Sequence, residues 1–318
     1  MTAICQGRPC TINPEDCNVR EPSIGDFTPS EHARAAIFIQ WVRLCSIIGR
    51  VGQHLSRNVE QASFPKPLAE ELIEWVRGLP GALSLPITSV RIRHFDRDVF
   101  KLHLPYLTTI TILHMKWSSR HSSQPLPEAY ITAVLASSCV ARIFKEFLAR
   151  GHIRFLGAIS CWYVAVAIVA LLHTQRIESL AENGAADIRI LRLALEEVAD
   201  LWPTAAIFVK GFKRLQVFEK LGAERANSLL NTQRPNLSET SASPTLADFN
   251  WLHGIDCQSY FPSVTTQTSK LAGTLLAEHQ AELWGDTSWL SDPTVQLQNL
   301  FDPSNLFPDS YIEGLPSL

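Results

Sequence analysis

The chain lacks the short motifs that most enzyme chemistry requires. No Gly-x-Ser-x-Gly elbow is present to expose an activated serine. No Gly-x-Gly-x-x-Gly or Gly-x-x-x-x-Gly-Lys loop offers backbone N–H groups to phosphates. No His-Glu-x-x-His pair sets two imidazoles on one helical face for zinc, and no Cys-x2-Cys knuckle occurs. The first thirty residues hold Pro9, Pro14, Pro22 and Pro29 but no apolar run of the kind a secretory leader needs. No Lys/Arg run suggests an import signal or a phosphate-binding stripe. Long alternation of apolar and polar residues is absent too, as is any helix–strand rhythm, which argues against sheets. No short-period repeat is found.

What is present is ordinary globular material. The 318 residues are 46% hydrophobic and 19% charged, enough for a sizeable core in one large or two modest domains. Net charge is −3, with 28 Lys and Arg scattered along the chain. The densest basic spot, Arg91, Arg93, His94 and Arg97, is interleaved with Asp96 and Asp98. Seven cysteines, an odd and dispersed set, fit a reducing compartment rather than a disulfide framework.

The apolar spacing predicts successive helices joined by turn-rich links. One begins at Glu31, capped by Ser30, and runs to about His54, with Trp41, Leu44, Ile48, Val51 and Leu55 on one stripe. Arg43, Arg50 and Arg57 repeat every seven residues on another face, solvated or paired with acids on a neighbour. Lys66 to Arg77 forms a short helix ended by Gly78, read as a left-handed cap. Val99 to Arg120 forms the next, with Pro105 near its first turn. Glu128 to Arg150 follows, closed by Gly151. Phe155 to Leu172 holds 18 residues without a charge, at the lower limit for crossing a bilayer. Flanked by amphipathic helices, it reads as a buried core helix, and no membrane association is expected. Ala185 to Leu201 is amphipathic through Ile188, Leu191, Leu195 and Val198, and a further helix begins at Trp202-Pro203 and reaches about Leu221. The fold class expected is therefore all-α: an array of packed amphipathic helices around one buried apolar helix, with an irregular N-terminal arm and a poorly ordered C-terminal tail.

Composition changes after residue 231. Residues 232–244 are rich in Ser, Thr, Asn and Pro, as linkers are. From Leu271 to Leu318 no Lys or Arg occurs, while Glu278, Glu282, Asp286, Asp292, Asp302, Asp309 and Glu313 alternate with Trp284, Trp289, Phe301, Phe307 and Tyr311. Residues 1–231 are thus assigned to a helical regulatory domain and 232–318 to a linker with an acidic, aromatic tail. Two readings of that tail stay open: a disordered segment that folds onto a basic apolar groove of a partner, or a solvated segment docking as a short helix on its own body.

Metal and catalytic sites are expected to be absent. Cys5, Cys10 and Cys17 have Cys-x4-Cys-x6-Cys spacing, which does not make a compact four-ligand fork. His103 and His114 lie eleven residues apart, on one helical face but about 16 Å apart along the axis, too far for one ion. They read as partly buried histidines hydrogen-bonded to neighbours. No catalytic residue, cofactor-binding residue or metal ligand is assigned, and no cofactor is expected.

Several segments resemble a known family. Gly7-Arg8-Pro9-Cys10-Thr11-Ile12-Asn13, then Asp16-Cys17-Asn18-Val19 and Pro22, is similar to a piece of the fungal-specific transcription factor domain, the middle homology region of zinc-cluster regulators. So is Arg97-Asp98-Val99 with Leu102-His103-Leu104-Pro105-Tyr106-Leu107, within the stretch Phe95 to Met115. A third match is Leu193-Ala194-Leu195-Glu196-Glu197, Trp202-Pro203-Thr204-Ala205-Ala206 and Gly211-Phe212-Lys213-Arg214-Leu215. In order and character these resemble regulators of the cutinase and acetamidase activator kind, over about Gly7 to Leu221. The resemblance implies a nuclear (or cytoplasmic) regulator and not an enzyme. Its partners would be the transcription machinery or a full-length paralogue, with a small-molecule effector between helices. The family's six-cysteine DNA-binding module is not matched here, so sequence-specific DNA binding and zinc are not carried over. Such domains ordinarily begin upstream of the Gly-Arg-Pro segment. The expectation is a truncated helical array or a surface covered by a partner. The competing expectation of function is an interaction subunit that dimerises with full-length relatives and titrates them. A small-molecule enzyme ranks last.

Overall fold

A computed structural model of the chain describes residues 2–5, 17–56, 64–85, 87, 95–120, 127–213 and 255–276. Among these residues every regular element is helical and no strand occurs: α1 (Thr2–Cys5), α2 (His32–Ser56), α3 (Lys66–Arg77), α4 (Arg97–Arg120), α5 (Pro127–Ala149), α6 (Ser160–Leu172), α7 (Glu178–Ala199), α8 (residues 203–213) and α9 (Lys270–Leu275). The all-α expectation is what the chain adopts.

The centre of the array is α6. Every side chain from Ser160 to Leu171 is buried, because α4, α5 and α7 pack around it. A helix apolar on all sides has no solvent face to offer, so it must sit where neighbours cover its whole circumference. α4 lies along α5, and this pair forms the longest contact of the fold. Tyr130, Ile143, Phe144 and Phe147 of α5 and Phe100, Leu102, Leu104 and Ile110 of α4 are fully buried. Each such side chain contributes about 1.5–3 kcal/mol relative to exposure. α2 crosses α4 and α3, burying Leu44, Ile48 and Val51, as its stripe predicts. Arg43 pairs with Glu21 at 3.8 Å and Arg50 with Glu71 of α3, so this part of the arginine row is tied to acids on neighbours; Arg57 lies outside the described residues.

Several local features differ from the sequence reading. The turn before α2 is built on Thr28, not Ser30: its hydroxyl donates to Glu31 Oε2 at 2.7 Å and its N–H to the same oxygen at 3.3 Å. Gly78 ends α3 in the right-handed region (φ −79°, ψ −1°), its N–H reaching Glu74 O at 2.8 Å. Among the described residues the left-handed glycine is Gly151, at φ 64°, just after α5. α4 begins at Arg97, since Asp96 Oδ1 accepts the N–H groups of Asp98 (2.8 Å) and Val99 (3.2 Å) and caps the helix earlier. Pro105 is therefore the ninth residue of α4, inside the helix. It costs a backbone hydrogen bond there, offset by the surrounding packing. α7 starts at Glu178, seven residues before the expected Ala185. Gly184 lies within it because a Cβ there would overlap Thr174 Oγ1 and sit 2.9 Å from Thr174 Cβ. Here glycine serves close approach, and the helix runs through it.

The most consequential difference lies beyond residue 231. Within the span read as linker and tail, residues 255–276 pack into the core as a strap. Tyr260, Phe261, Leu271, Ala272 and Leu275 are buried. The 3-10 turn Cys257–Tyr260 rests on α3 and α5, and α9 rests on α5 and α7. Residues 270–275 thus take the self-docking form. Residues 232–254 and 277–318 lie outside the described residues.

Candidate functional site

The strap encloses a cavity of about 200 Å³ against α3 and α4. α3 brings Val76 and Arg77 to it, the turn after α3 brings Ser84 and Leu85, and α4 brings His103, Tyr106 and Leu107. The strap forms the remaining wall with Tyr260 to Val264. His103, Tyr106 and Leu107 share the cavity because positions three and four apart on a helix lie on one face.

Each wall is fixed by a hydrogen bond that crosses elements. His103 Nε2 donates to Leu83 O at 2.8 Å, holding the turn after α3 against α4. Tyr106 Oη donates to Tyr260 O at 2.9 Å, pinning the strap to α4. Arg77 donates from its guanidinium to Ser259 Oγ at 3.0 Å. Thr268 Oγ1 donates to Ile87 O at 2.8 Å. Trp75 backs the site, its ring 5.1 Å from that of Tyr106 and 6.0 Å from that of His103, with its indole N–H on Gln40 O at 3.2 Å.

The electrostatics are simple. Burial pushes the His103 imidazolium down to about 4, so the ring is neutral at pH 7. With Nε2–H committed to a carbonyl, Nδ1 is left as an acceptor lone pair. Burial raises the Tyr106 phenol well above its ordinary value, so it stays protonated and keeps donating. Arg77 is exposed at the mouth and carries the one formal charge of the lining. Apolar walls, a neutral imidazole and a cation at the rim make a chemistry of binding.

A second polar cluster joins the strap to the body at the other end. Ser138 Oγ donates to Asp187 Oδ2 at 2.6 Å and lies 3.0 Å from Ser269 Oγ, which also accepts the N–H of Ala272 at 3.0 Å and so caps α9. Burial raises the Asp187 carboxyl to about 6, against the opposing pull of the Ser138 hydroxyl and of Lys145 and Arg142.

The residues weighed in the sequence now have places. His103 and His114 are both fully buried on α4. His103 is hydrogen-bonded as expected. His114 departs from that reading: neither ring nitrogen has a hydrogen-bond partner among the described residues, and the ring packs between Phe64 and Tyr260, each at 5.3 Å. Burial drives it down to about 3. Cys5 is half-buried on α1 and Cys17 is exposed, while Cys10 lies outside the described residues. Cys5, Cys17, Cys45, Cys139, Cys161 and Cys257 are all thiols. Among the described residues no group of three His, Cys, Asp or Glu side chains could hold a metal. Of the basic spot, Arg97 pairs with Asp98 at 3.1 Å and lies over the Phe155 ring; residues 91–94 are outside the described set. The sequence brought His103 and Tyr106 to notice as part of the family-like stretch. It gave no sign of Arg77 or Tyr260 as their neighbours, because 154 residues separate Tyr106 from Tyr260 and the strap has no period to read.

Comparison with known proteins places the chain near fungal regulators. It is 26% identical to an acetamidase regulatory protein of Aspergillus oryzae across the whole chain and 45% of that protein. It is 27% identical to the protein of the same name in Aspergillus fumigatus, over 73% of the chain and 31% of that protein. To cutinase transcription factor 1 alpha of Fusarium vanettenii it is 24% identical, over 63% of the chain and 24% of that protein. The chain thus spans less than half the length of these curated relatives. No family model and no solved structure matches it. Two of these relatives are named as regulatory proteins and one as a transcription factor.

Proposed function

We propose that this chain is a transcription regulator of the fungal zinc-cluster type, or a portion of one. In this reading a helical body restrains or senses, and an acidic, aromatic C-terminal segment recruits the transcription machinery. The observation that carries the regulatory part is the similarity to acetamidase regulatory proteins and to a cutinase transcription factor. The tail reading rests on composition: seven acids and no Lys or Arg from Leu271 onward, interleaved with aromatic residues. Acids keep such rings solvated until a partner's basic apolar groove takes them up. In this reading the body acts by contact, without chemistry of its own. Nuclear residence follows from this reading.

A reporter assay tests it. Residues 277–318 fused to a heterologous DNA-binding domain are expected to activate transcription well above the DNA-binding domain alone. Replacing Trp284, Trp289, Phe301 and Phe307 by alanine should abolish the effect with net charge unchanged. Activation at background removes the tail from the mechanism. The competing reading, a subunit that dimerises with full-length relatives and titrates them, predicts that the chain co-purifies with such a relative and lowers its DNA occupancy in a gel shift.

A further inference from the structure

We infer that the cavity between α3, α4 and the strap is an effector site for a small monocarboxylic acid with a compact apolar or aromatic body. This goes beyond the regulatory reading and does not depend on it. About 200 Å³ is the share of roughly seven liquid waters. It lies below the roughly 300–1,000 Å³ typical of drug-sized ligands, so it selects compact molecules.

The lining sets the chemical class. Its lining is largely apolar and aromatic, with Val76, Leu85, Tyr106, Leu107, Phe261 and Val264 beside Ser84 and Ser263. A ligand body without strong polar groups therefore replaces water there favourably. The charge is at one end only. Arg77 carries no ion pair with a carboxylate among the described residues; its side chain donates to the neutral hydroxyl of Ser259. Its field nevertheless reaches into the site, lowering the Tyr106 phenol against the larger effect of burial. A carboxylate at the rim can take charge-assisted, two-pronged hydrogen bonds from that guanidinium. A cationic head would be repelled there. An amide would accept from Arg77 without the charge, and so would bind more weakly. His103 offers no competing charge, since its buried ring is neutral.

Occupation has a structural consequence. The site is walled by α3 and α4 on one side and by Phe261 and Val264 of the strap on the other. A ligand that touches both faces stabilises the docked strap, because only the docked form completes the site.

Calorimetry and thermal unfolding on the full 318-residue chain test this, with benzoate, phenylacetate and hexanoate as probes and their primary amides as neutral counterparts. At least one acid is expected to bind with a Kd of about a millimolar or tighter and to raise Tm with concentration. Its amide should bind about tenfold more weakly or worse. Arg77→Gln, an exposed position that leaves the core intact, should remove the preference for acid over amide. Val264→Trp, which fills the cavity, should remove binding of both, with folding verified by circular dichroism; should it unfold, Arg77→Gln alone decides. No binding by any of the three acids, equal affinity for acid and amide, or an acid preference that survives Arg77→Gln would each overturn the proposal. The reporter assay is unaffected by these outcomes, so the two readings fail separately.

Discussion

The α4–α5–α6 centre and the strap at 255–276 are held by different physics. The centre is held by area. Its side chains are large and apolar, and its crossings are long. The strap buries fewer side chains and adds a series of side-chain hydrogen bonds: Tyr106 to Tyr260 O, Thr268 to Ile87 O, Arg77 to Ser259, and Ser269 to Ser138. Area is tolerant of small shifts, whereas hydrogen bonds to carbonyls demand one register. The difference teaches that the strap's position is specified by polar contacts, while its stability comes from a few plugs such as Leu271 and Leu275. It also accounts for the cavity on the strap's border, since the closely packed centre leaves no room for one.

That contrast can be broken in graded steps. The largest effect is expected in the centre. Phe144→Ala should lower unfolding stability by about 3–5 kcal/mol, measured by urea denaturation, because residues 130–144 of α5 are all buried and the surroundings cannot collapse into the void. Leu275→Ala in the strap should cost about 2–3 kcal/mol, since that segment borders solvent and can relax. Equal losses at the two positions would erase the distinction. A third step is pH. The Asp187 carboxyl is raised by burial to about 6, so the folded chain holds this proton to higher pH than the unfolded chain does. Folding therefore takes up a proton between about pH 4 and 6, and stability falls as pH rises through that window. Relative to Asp187→Asn, the natural chain should lose about 2 kcal/mol from pH 4 to pH 7, a figure reduced for its partial exposure. Asp26, Glu31 and Asp98 have lowered values and act in the opposite sense at lower pH, so the difference between the two chains isolates Asp187. A pH-independent difference would show that Asp187 is not buried by the strap. The smallest step is Thr268→Val, which removes the donor to Ile87 O at near-constant volume and should cost about 1 kcal/mol.

How much of this was legible in the sequence follows the same division. The apolar stripe of α2, the face Ile188, Leu191, Leu195 and Val198 of α7, and the uncharged run that became α6 are periodic signals, and the chain folds as they indicate. Element ends were less legible, because Asp96 caps α4 through a side chain and Gly184 continues α7 where a glycine usually weakens a helix. The strap was hidden for a physical reason. Its helical piece is six residues long, too short to show a period, and its partners lie on α3, α4, α5 and α7. The cavity was hidden with it, since five of its twelve lining residues come from the strap.

Residues 255–276 are folded into the helical body and complete the wall of the cavity between α3 and α4. Hydrogen exchange on the full chain tests it most directly. The amides of Gly273 and Leu276, bonded at 2.9 Å to Ser269 O and Ala272 O, should exchange orders of magnitude slower than an unstructured peptide, and Phe144→Ala should speed them together with α5. Exchange of residues 257–276 at the unstructured rate, while α4 and α5 stay protected, would contradict the account.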